Sequence, residues 1–269
     1  MPAHVQRHPL PLHTPLKRSF GPTSRILEVG PLVSLLVKIF IMSAINGILL
    51  IDKPEGWTSH DVVAKVHSIL KRETGQKVKV GHTGTLDPTA TGLLILVLGS
   101  YTKRAEGFSK LDKVYQAEIT LGYNSSTGDK EGELTKVSDK QPSKTAVEAI
   151  LRQFKGEILQ KPHKYSAVKI DGQRAYKAAR AGQTVEIEPR KVKIYEITDV
   201  EYDYPKLSFT CKVSSGTYIR SLAEDIGAEL GTGAYLTALR RTQISNFKIE
   251  NTLKIDSLSL LNIQSHLQK

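Results

Sequence analysis

Residues 81–92, GHTGTLDPTATG, are the feature that most constrains the fold of this chain. Glycine and threonine permit tight turns and let a second backbone segment approach closely. The apolar run from Leu93 to Leu98 follows directly and predicts a buried strand. Because Pro88 follows Asp87, the aspartate is expected to be extended and non-helical. A carboxylate on a loop beside a core strand suits a nucleophile or general base, and the same pattern also fits a capping or turn aspartate.

The composition of the chain narrows its partners and its compartment. A length of 269 residues allows one large domain or two small ones, and a net charge of +11 favours a polyanionic partner, nucleic acid rather than a membrane. Cys211 is the lone cysteine, which excludes an internal disulfide. It alternates with Leu207, Phe209 and Val213, so we expect it in the core of a protein from a reducing compartment such as the cytoplasm.

Cofactor and metal sites have no support in the sequence. No Walker pattern and no dinucleotide fingerprint is present. The eight histidines do not combine with cysteine or carboxylate at ligand spacing, and the cluster of His4, His8 and His13 lies in a proline-rich segment. We therefore expect neither a nucleotide cofactor nor a bound metal.

Residues 1–41 differ from the rest of the chain. They are first proline-rich and basic, and then apolar from Leu32 to Ile41, a run too short and too charged for a membrane span because of Lys38. The segment could be an organellar presequence, which would place the protein in an organellar matrix, or it could resemble a signal peptide. We favour a misplaced start, because Met42 is the only internal methionine and stands just before the first predicted strand.

The remaining pattern predicts an α+β fold, since strands and helices mix without a regular βαβ repeat. The predicted strands are 45–51, 93–98, 114–121 and two within 194–213 joined near Tyr204-Pro205. The predicted helices begin at Thr58 or Ser59, run from Ser143 to Phe154 and from Ile219 to Leu230, and include a second helix from beyond Gly231 to about Leu239. Residues 124–133 are predicted as a polar loop, and residues 160–191 as an irregular basic segment.

A second loop, SSGTYIRSL at residues 214–222, leads from a predicted strand into a predicted helix. It places Arg220 in the first helical turn, where the helix dipole disfavours a cation. This position is best explained if Arg220 faces a carboxylate or a phosphate, although an arginine exposed to solvent fits the pattern too.

The two loops belong to a longer series of motifs. The segments INGILLIDKPEGWTS, GHTGTLDPTATGLLILVLG, the strand with Tyr115, KYSAVKIDGQRAYKAARAG, SSGTYIRSLAEDIG and LTALRRTQI occur in this order between residues 45 and 257. In this order they resemble the successive motifs of the bacterial tRNA pseudouridine-55 synthases, the TruB family. One departure is Thr89, where many members of the family have a larger apolar residue.

The resemblance implies a pseudouridine synthase fold, with a mixed, mostly antiparallel sheet flanked by helices. It also implies the isomerisation of uridine 55 in the tRNA T-loop, in which the glycosidic nitrogen–carbon bond is replaced by a carbon–carbon bond. No cofactor is implied, because the reaction is redox-neutral. The base must leave the folded loop before it can react.

Individual positions take their expected roles from the resemblance. Asp87 matches the catalytic aspartate, Arg220 its ion-pair partner, and Tyr218 the tyrosine of the GTYIR motif. Tyr115 matches the tyrosine that stacks on the base and is a candidate for proton transfer, so all four residues are expected to be catalytic. Three further positions are expected to contact the substrate. Leu239 matches an apolar wall of the uracil pocket, and His82 matches a histidine that fills the gap left by the extruded base. Lys53 matches the lysine of the DKP turn, which can also be structural.

The resemblance also suggests how RNA is held. The basic segment 160–191, with Lys164, Lys169 and Arg174, is predicted to grip the backbone of the T-arm. The catalytic domain is predicted over residues 42–257, followed by a short tail, 258–269, without the C-terminal RNA-binding domain of many relatives. We expect a monomer that acts on tRNA without a membrane and without an obligate protein partner. The rival hypotheses are a non-catalytic RNA-binding protein of the same fold and a synthase guided by a separate RNA.

Overall fold

A computed structural model describes residues 45–161, 169–170, 173–174 and 188–269 of the chain. The predicted leader, 1–41, lies outside this range. Fourteen strands are described: β1 Gly47–Lys53, β2 Val80–His82, β3 Thr91–Leu98, β4 Lys113–Leu121, β5 Tyr123–Ser125, β6 Leu134–Lys136, β7 Gly156–Gln160, β8 Lys169–Ile170, β9 Gln173–Arg174, β10 Arg190–Asp203, β11 Lys206–Val213, β12 Ala234–Ile244, β13 Phe247–Lys248 and β14 Leu253–Lys254. The α-helices in the same ranges are α1 Ser59–Thr74, α2 Ala105–Ser109, α3 Lys144–Gln153, α4 Ile219–Leu230 and α5 Leu260–Ser265.

Ten of the strands form one mixed sheet. Its order is β14-β1-β3-β12-β4-β11-β10-β7, with β2 paired to β3 and β13 paired to β12. The β1–β14 and β3–β12 pairs are parallel, and the other pairs are antiparallel. The expectation of an α+β fold around a mixed, mostly antiparallel sheet is therefore confirmed.

The helices follow from local sequence signals. Thr58 caps α1 in a reciprocal capping box with Asp61, and the buried Val62, Val66, Ile69 and Leu70 line the apolar face of the helix. Ser143 accepts a hydrogen bond from the Ala146 amide at the start of α3. Gly231 ends α4 in the left-handed conformation that glycine adopts without strain.

The core lies on both halves of the sheet. One cluster packs β4, β11 and β12 against α3 and α4, with Phe209 and Ile226 buried at its centre. A second cluster packs β1 and β3 against α1 and also includes Ile263 of α5. Residues 258–269 thus contribute to the core, and Gln268 exchanges backbone hydrogen bonds with Ile48 of β1.

The two halves meet where β3 and β12 run parallel for a short distance. Arg240 and Arg241 pair there with Thr91 and Gly92. Gly92 has φ +103°, and a Cβ atom at this position would lie 2.3 Å from the Arg241 carbonyl oxygen. Glycine is therefore required at this junction, which directs the end of the 81–92 loop towards the middle of the sheet.

One predicted element is wrong. Residues 234–239, expected to be part of a second helix, belong to strand β12, which pairs with β4. A bulge between Leu236 and Ala238 interrupts the strand's alternation. As a result Leu236 and Leu239, which are three positions apart in the sequence, lie on the same face of the sheet, and this spacing is also the one that places residues on one face of a helix. In the part of the chain that the structure describes, no helix is both long and apolar enough to cross a bilayer.

Candidate active site

A cavity of about 250 Å³ opens between the 81–92 loop, the start of β4, the loop before α4, and β12. Asp87, Tyr115, Tyr218 and Arg220, the four residues predicted to be catalytic, all line it. Leu239, predicted as an apolar wall, lines it as well. The sequence-based expectation that these distant residues form one site is therefore matched by their positions in the structure.

The Asp87 loop is held against the start of α1. The Leu86 amide donates a hydrogen bond of 2.8 Å to the Ser59 hydroxyl, and the buried Leu86 side chain joins the core. The Pro88 carbonyl accepts a 2.9 Å hydrogen bond from the Gly56 amide. Both sides of Asp87 are thus fixed, while about half of its side-chain surface (49%) stays exposed at the cavity.

Lys53 lies beneath this loop rather than in the cavity wall. Its side chain is fully buried, and its Nζ donates to the carbonyls of Trp57 at 2.6 Å, Pro54 at 3.0 Å and Pro88 at 3.4 Å. Burial lowers the pKa of Lys53 to about 8, against the opposing effect of the Asp87 carboxylate. The three carbonyls occupy all three ammonium protons, so the geometry agrees with the structural role that the sequence left open for this lysine, and a substrate contact stays a prediction.

Arg220 faces carboxylates, as its unfavourable place in the first turn of α4 indicated. Its Nη2 donates to Asp87 Oδ2 and lies 3.2 Å from Asp129 Oδ2. Its Nη1 donates to the Thr127 carbonyl at 3.0 Å. The guanidinium therefore bridges two carboxylates through one nitrogen, rather than forming a two-nitrogen fork on Asp87.

Asp129 is a site residue that the sequence did not reveal, because it lay in a segment predicted only as a polar loop. Its side chain is 6% exposed, and its Oδ1 accepts hydrogen bonds from the Thr127 hydroxyl at 2.6 Å and from the Glu131 amide at 3.1 Å. Gly128 allows this approach, since a Cβ atom there would lie 2.8 Å from Arg220 Cγ. The loop thus places a second, buried carboxylate behind Arg220.

Tyr218 is held through its backbone. The buried Gln160 side chain accepts a 2.7 Å hydrogen bond from the Tyr218 amide and donates one of 3.0 Å to its carbonyl. The Ser221 hydroxyl donates to the Lys161 carbonyl at 3.0 Å. The first residues of the 160–191 segment are therefore fixed to the residues that flank Arg220. These two parts of the chain are distant in the sequence, and the fold brings them together.

Two buried cations complete the cavity wall: Lys113, which the sequence did not single out, and Arg241 of the LTALRRTQI motif. Lys113 Nζ donates to the Ser109 carbonyl at 2.7 Å and to the Leu111 carbonyl. Arg241 donates through Nε to the Leu93 carbonyl at 2.8 Å and through Nη2 to the Gly84 carbonyl at 3.1 Å. Among the residues described, neither forms an ion pair with a carboxylate.

The other predicted contacts are not placed in the cavity. His82 lies in β2 opposite Leu96, one residue before the part of the loop that lines the cavity. Lys164 lies outside the described residues. For Lys169 and Arg174 only the backbone is described, and it forms the two-stranded β8–β9 ribbon. The RNA contacts expected of these four residues remain predictions.

Two family models match the chain. The TruB family pseudouridylate synthase N-terminal domain matches residues 71–219, more than half of the chain. The tRNA pseudouridylate synthase B C-terminal domain matches residues 220–268, which in the structure comprise α4, β12–β14 and α5.

Curated relatives and solved structures agree with this assignment. The tRNA pseudouridine synthase B of Burkholderia lata is 45% identical over 215 residues, covering 80% of this chain and 65% of that protein; that of Thermobifida fusca is 45% identical over 228 residues, covering 80% and 74%. A Cbf5-Nop10-Gar1 complex contains a chain with a TM-score of 0.64 and 29% identity, covering 84% of this chain and 61% of that one. An H/ACA RNP bound to a substrate RNA gives a TM-score of 0.60 and 30% identity, covering 81% and 54%. The chain belongs to the TruB family of pseudouridylate synthases.

Proposed function

We propose that this chain isomerises uridine 55 in the T-loop of tRNA to pseudouridine, with Asp87 as the catalytic carboxylate. The observation that carries the proposal is a half-exposed carboxylate held by an arginine at a cavity between an aromatic and an aliphatic side chain. The name shared by the two curated relatives, tRNA pseudouridine synthase B, supports tRNA as the substrate. The six ordered motifs support position 55.

The cavity suits one extruded base. Tyr115 of β4 offers a ring on which uracil stacks, and Leu239 of β12 supplies an apolar contact from the neighbouring strand. A uridine paired or stacked within a folded T-loop cannot reach Asp87, so the enzyme must flip it out of the loop. Stacking on Tyr115 replaces part of the stacking energy that the flipped base loses.

The chemistry follows from the position of Asp87. Its carboxylate either adds to the uracil ring or assists cleavage at the ribose through a glycal, and the base then turns and rejoins the ribose through carbon 5. Arg220 orients the carboxylate through Nη2. Carbon 5 finally loses its proton, so the net reaction is an isomerisation that needs no redox cofactor.

The substrate is tRNA itself, without a guide RNA and without an obligate protein partner, and the enzyme acts as a monomer. The basic segment that contains Lys164, Lys169 and Arg174 grips the backbone of the T-arm. Neutralising these three residues should weaken binding and flatten its salt dependence, by roughly one counterion-release unit for each phosphate that is no longer neutralised.

The test is the release of tritium from bare tRNA labelled at carbon 5 of uridine. Asp87→Asn should lower turnover by several orders of magnitude and leave tRNA binding intact, because the phosphate contacts and the stacking remain. Asp139→Asn is the matched control, since Asp139 is 87% exposed and pairs only with Lys136 among the described residues. Substantial turnover by Asp87→Asn contradicts the mechanism, and a requirement for added guide RNA contradicts the substrate assignment. A transcript with cytidine at position 55 should lose the signal from that site.

A further inference from the structure

The charges that line the cavity do not balance. Among the described lining residues Asp87 is the only carboxylate, whereas Lys113, Arg220 and Arg241 are cations. Asp129 lies behind Arg220 and pairs with it. Lys113 and Arg241 are instead buried on backbone carbonyls, which solvate a cation but do not neutralise it. Such a surplus of buried positive charge favours an anion inside the cavity.

Lys113 has a donor left for that anion. Its ammonium has three protons, of which the carbonyls of Ser109 and Leu111 take two. The Ser109 carbonyl also accepts a 2.9 Å hydrogen bond from Ser215 Oγ, so that the lysine is held by a segment that is itself fixed to the loop before α4. Arg241 donates through Nε and Nη2 to the Leu93 and Gly84 carbonyls and keeps further N–H groups, but it is only 1% exposed, against 7% for Lys113.

The strand geometry places Lys113 beside the base. Side chains two residues apart on a strand lie on the same face, so Lys113 and Tyr115 are neighbours about 7 Å apart along β4. Leu239 pairs with Ala117, two residues beyond Tyr115 in the opposite direction. A ring stacked on Tyr115 therefore has the apolar Leu239 towards one edge and Lys113 towards the other.

We propose that Lys113 is a catalytic residue that donates a hydrogen bond to a ring carbonyl oxygen of uracil and stabilises the base as an anion when its bond to the ribose breaks. This inference rests on the proposed function. In that step the C1′–N1 bond breaks, and its electron pair stays on the uracil ring, where it is shared with the carbonyl oxygens. On the ribose side Asp87 takes the C2′ proton, so that C1′ and C2′ form the double bond of the glycal, and this proton returns to C2′ when the new bond to C1′ forms. The anion then forms the C1′–C5 bond, carbon 5 loses its proton to water, and N1 gains one. Lys113 remains protonated throughout.

A phosphate of the flipped nucleotide is the other anion that a lysine could bind. Lys113 is only 7% exposed, whereas the half-exposed Asp87 marks the mouth of the cavity. The phosphates of an extruded nucleotide stay with the RNA backbone outside the pocket. The depth of Lys113 therefore favours the base.

The ionisation of Lys113 supplies an independent signature. Burial, and to a lesser extent the Arg241 guanidinium, lower the pKa of Lys113 from 10.5 to about 8, while Asp112 opposes the shift. The other charged groups at the same cavity are Asp87 and Arg220. Since the protonated form is the active one, the catalytic rate should fall as the pH rises through about 8.

The experiment measures single-turnover pseudouridine formation at saturating tRNA, and tRNA binding, between pH 6 and pH 9.5. Lys113→Gln should slow the reaction by about 100-fold or more and change the Kd by less than about twofold, which is the size of effect seen when one oxyanion donor is removed. Lys113→Arg should retain more activity and lose the decline near pH 8, because arginine does not titrate there. The matched control Lys110→Gln, in which an exposed lysine of the same segment changes, should behave like the wild type.

Several results overturn the inference. A weaker Kd at an unchanged rate assigns Lys113 to a phosphate, and an unchanged rate and Kd assign it to the fold alone. A wild-type rate that shows no decline near pH 8 overturns it even if the variants do not fold. A wild-type chain that forms no pseudouridine defeats the proposed function as well, whereas normal wild-type turnover with a fully active Lys113→Gln defeats this inference only.

Discussion

Replacing Asp129 with asparagine tests whether the buried carboxylate controls the position of Arg220. The change keeps the size of the side chain, and Oδ1 can still accept from the Thr127 hydroxyl and the Glu131 amide. The contact to Arg220 Nη2, 3.2 Å from Oδ2, loses its charge and can place two donors against each other. Arg220 then keeps only Asp87 and the Thr127 carbonyl as partners.

The contact between Asp129 and Arg220 sets the expected decrease in rate. A hydrogen bond between charged groups contributes about 1.5–3 kcal/mol, and each 1.36 kcal/mol corresponds to a tenfold change in rate. If Arg220 must be oriented by Asp129, Asp129→Asn should slow pseudouridine formation by about 10- to 150-fold. The loss of folding stability should stay below the 3–5 kcal/mol of a fully broken buried pair, because Asp87 still accepts from Arg220.

The assay is single-turnover pseudouridine formation at saturating tRNA, with unfolding in urea measured in parallel. Glu131→Gln is the matched control: it removes the same charge two residues away from an exposed side chain, and should leave the rate unchanged. A wild-type rate for Asp129→Asn refutes the reasoning. An equal loss in both variants would mean that general electrostatics, and not the contact to Arg220, controls the rate.

Three further predictions concern the groups that support the cavity. Gln160→Ala should slow catalysis by up to about 30-fold, because it removes both hydrogen bonds to the Tyr218 backbone at about 1 kcal/mol each; single-turnover rates test this, with the exposed Gln153→Ala as a control that should not change. Gly92→Ala should destabilise the protein by more than about 2 kcal/mol in urea unfolding, since its Cβ would meet the Arg241 carbonyl at 2.3 Å, whereas Gly107→Ala, with open space at its Cβ, should be neutral or slightly stabilising. The folded protein releases the Lys53 proton near pH 8 and the unfolded chain near pH 10.5, so between these values the unfolded state binds more protons. The unfolding free energy of the wild type should therefore rise with pH relative to that of Lys53→Met. A constant difference in unfolding free energy across this window contradicts the buried position of the lysine.

Local chemistry predicted that Arg220 faces an anion and that Asp87 suits catalysis, and the family resemblance predicted that the two residues pair. A cation in the first turn of a helix calls for an anion, and a lone carboxylate in a glycine-rich loop suits catalysis. The local arguments named each residue by itself, and only the resemblance joined these two residues, which lie 133 positions apart. The strands with simple alternation or continuous apolar runs, such as β3 and β4, were predicted for the same local reasons.

The parts that the sequence did not predict depend on strand order. Asp129, Gln160 and Lys113 have no local pattern that distinguishes them from ordinary loop or strand residues. The residues that give them their place in the site, Arg220 for Asp129, Tyr218 for Gln160 and the cavity lining for Lys113, are distant in the sequence. The error at β12 has a different origin, because its bulge changed the spacing of apolar residues from two to three. Local periodicity cannot separate that spacing from a helix when the residues include alanine and leucine.

The two carboxylates that contact Arg220, those of Asp87 and Asp129, have different surroundings, and this difference suits them to different roles. Asp129 is buried and bonded on both oxygens, so it stays in place whatever occupies the cavity. Asp87 is half exposed and, among the described residues, has a single side-chain partner, the shared Nη2 of Arg220. If Asp87 were the only counter-charge, its movement onto the substrate would leave a guanidinium that is 12% exposed without a carboxylate, at the cost of a buried unpaired charge. With Asp129 present, Asp87 can turn towards the base while Arg220 remains paired, so that the cavity stays organised through the step in which the proposed mechanism has the aspartate react.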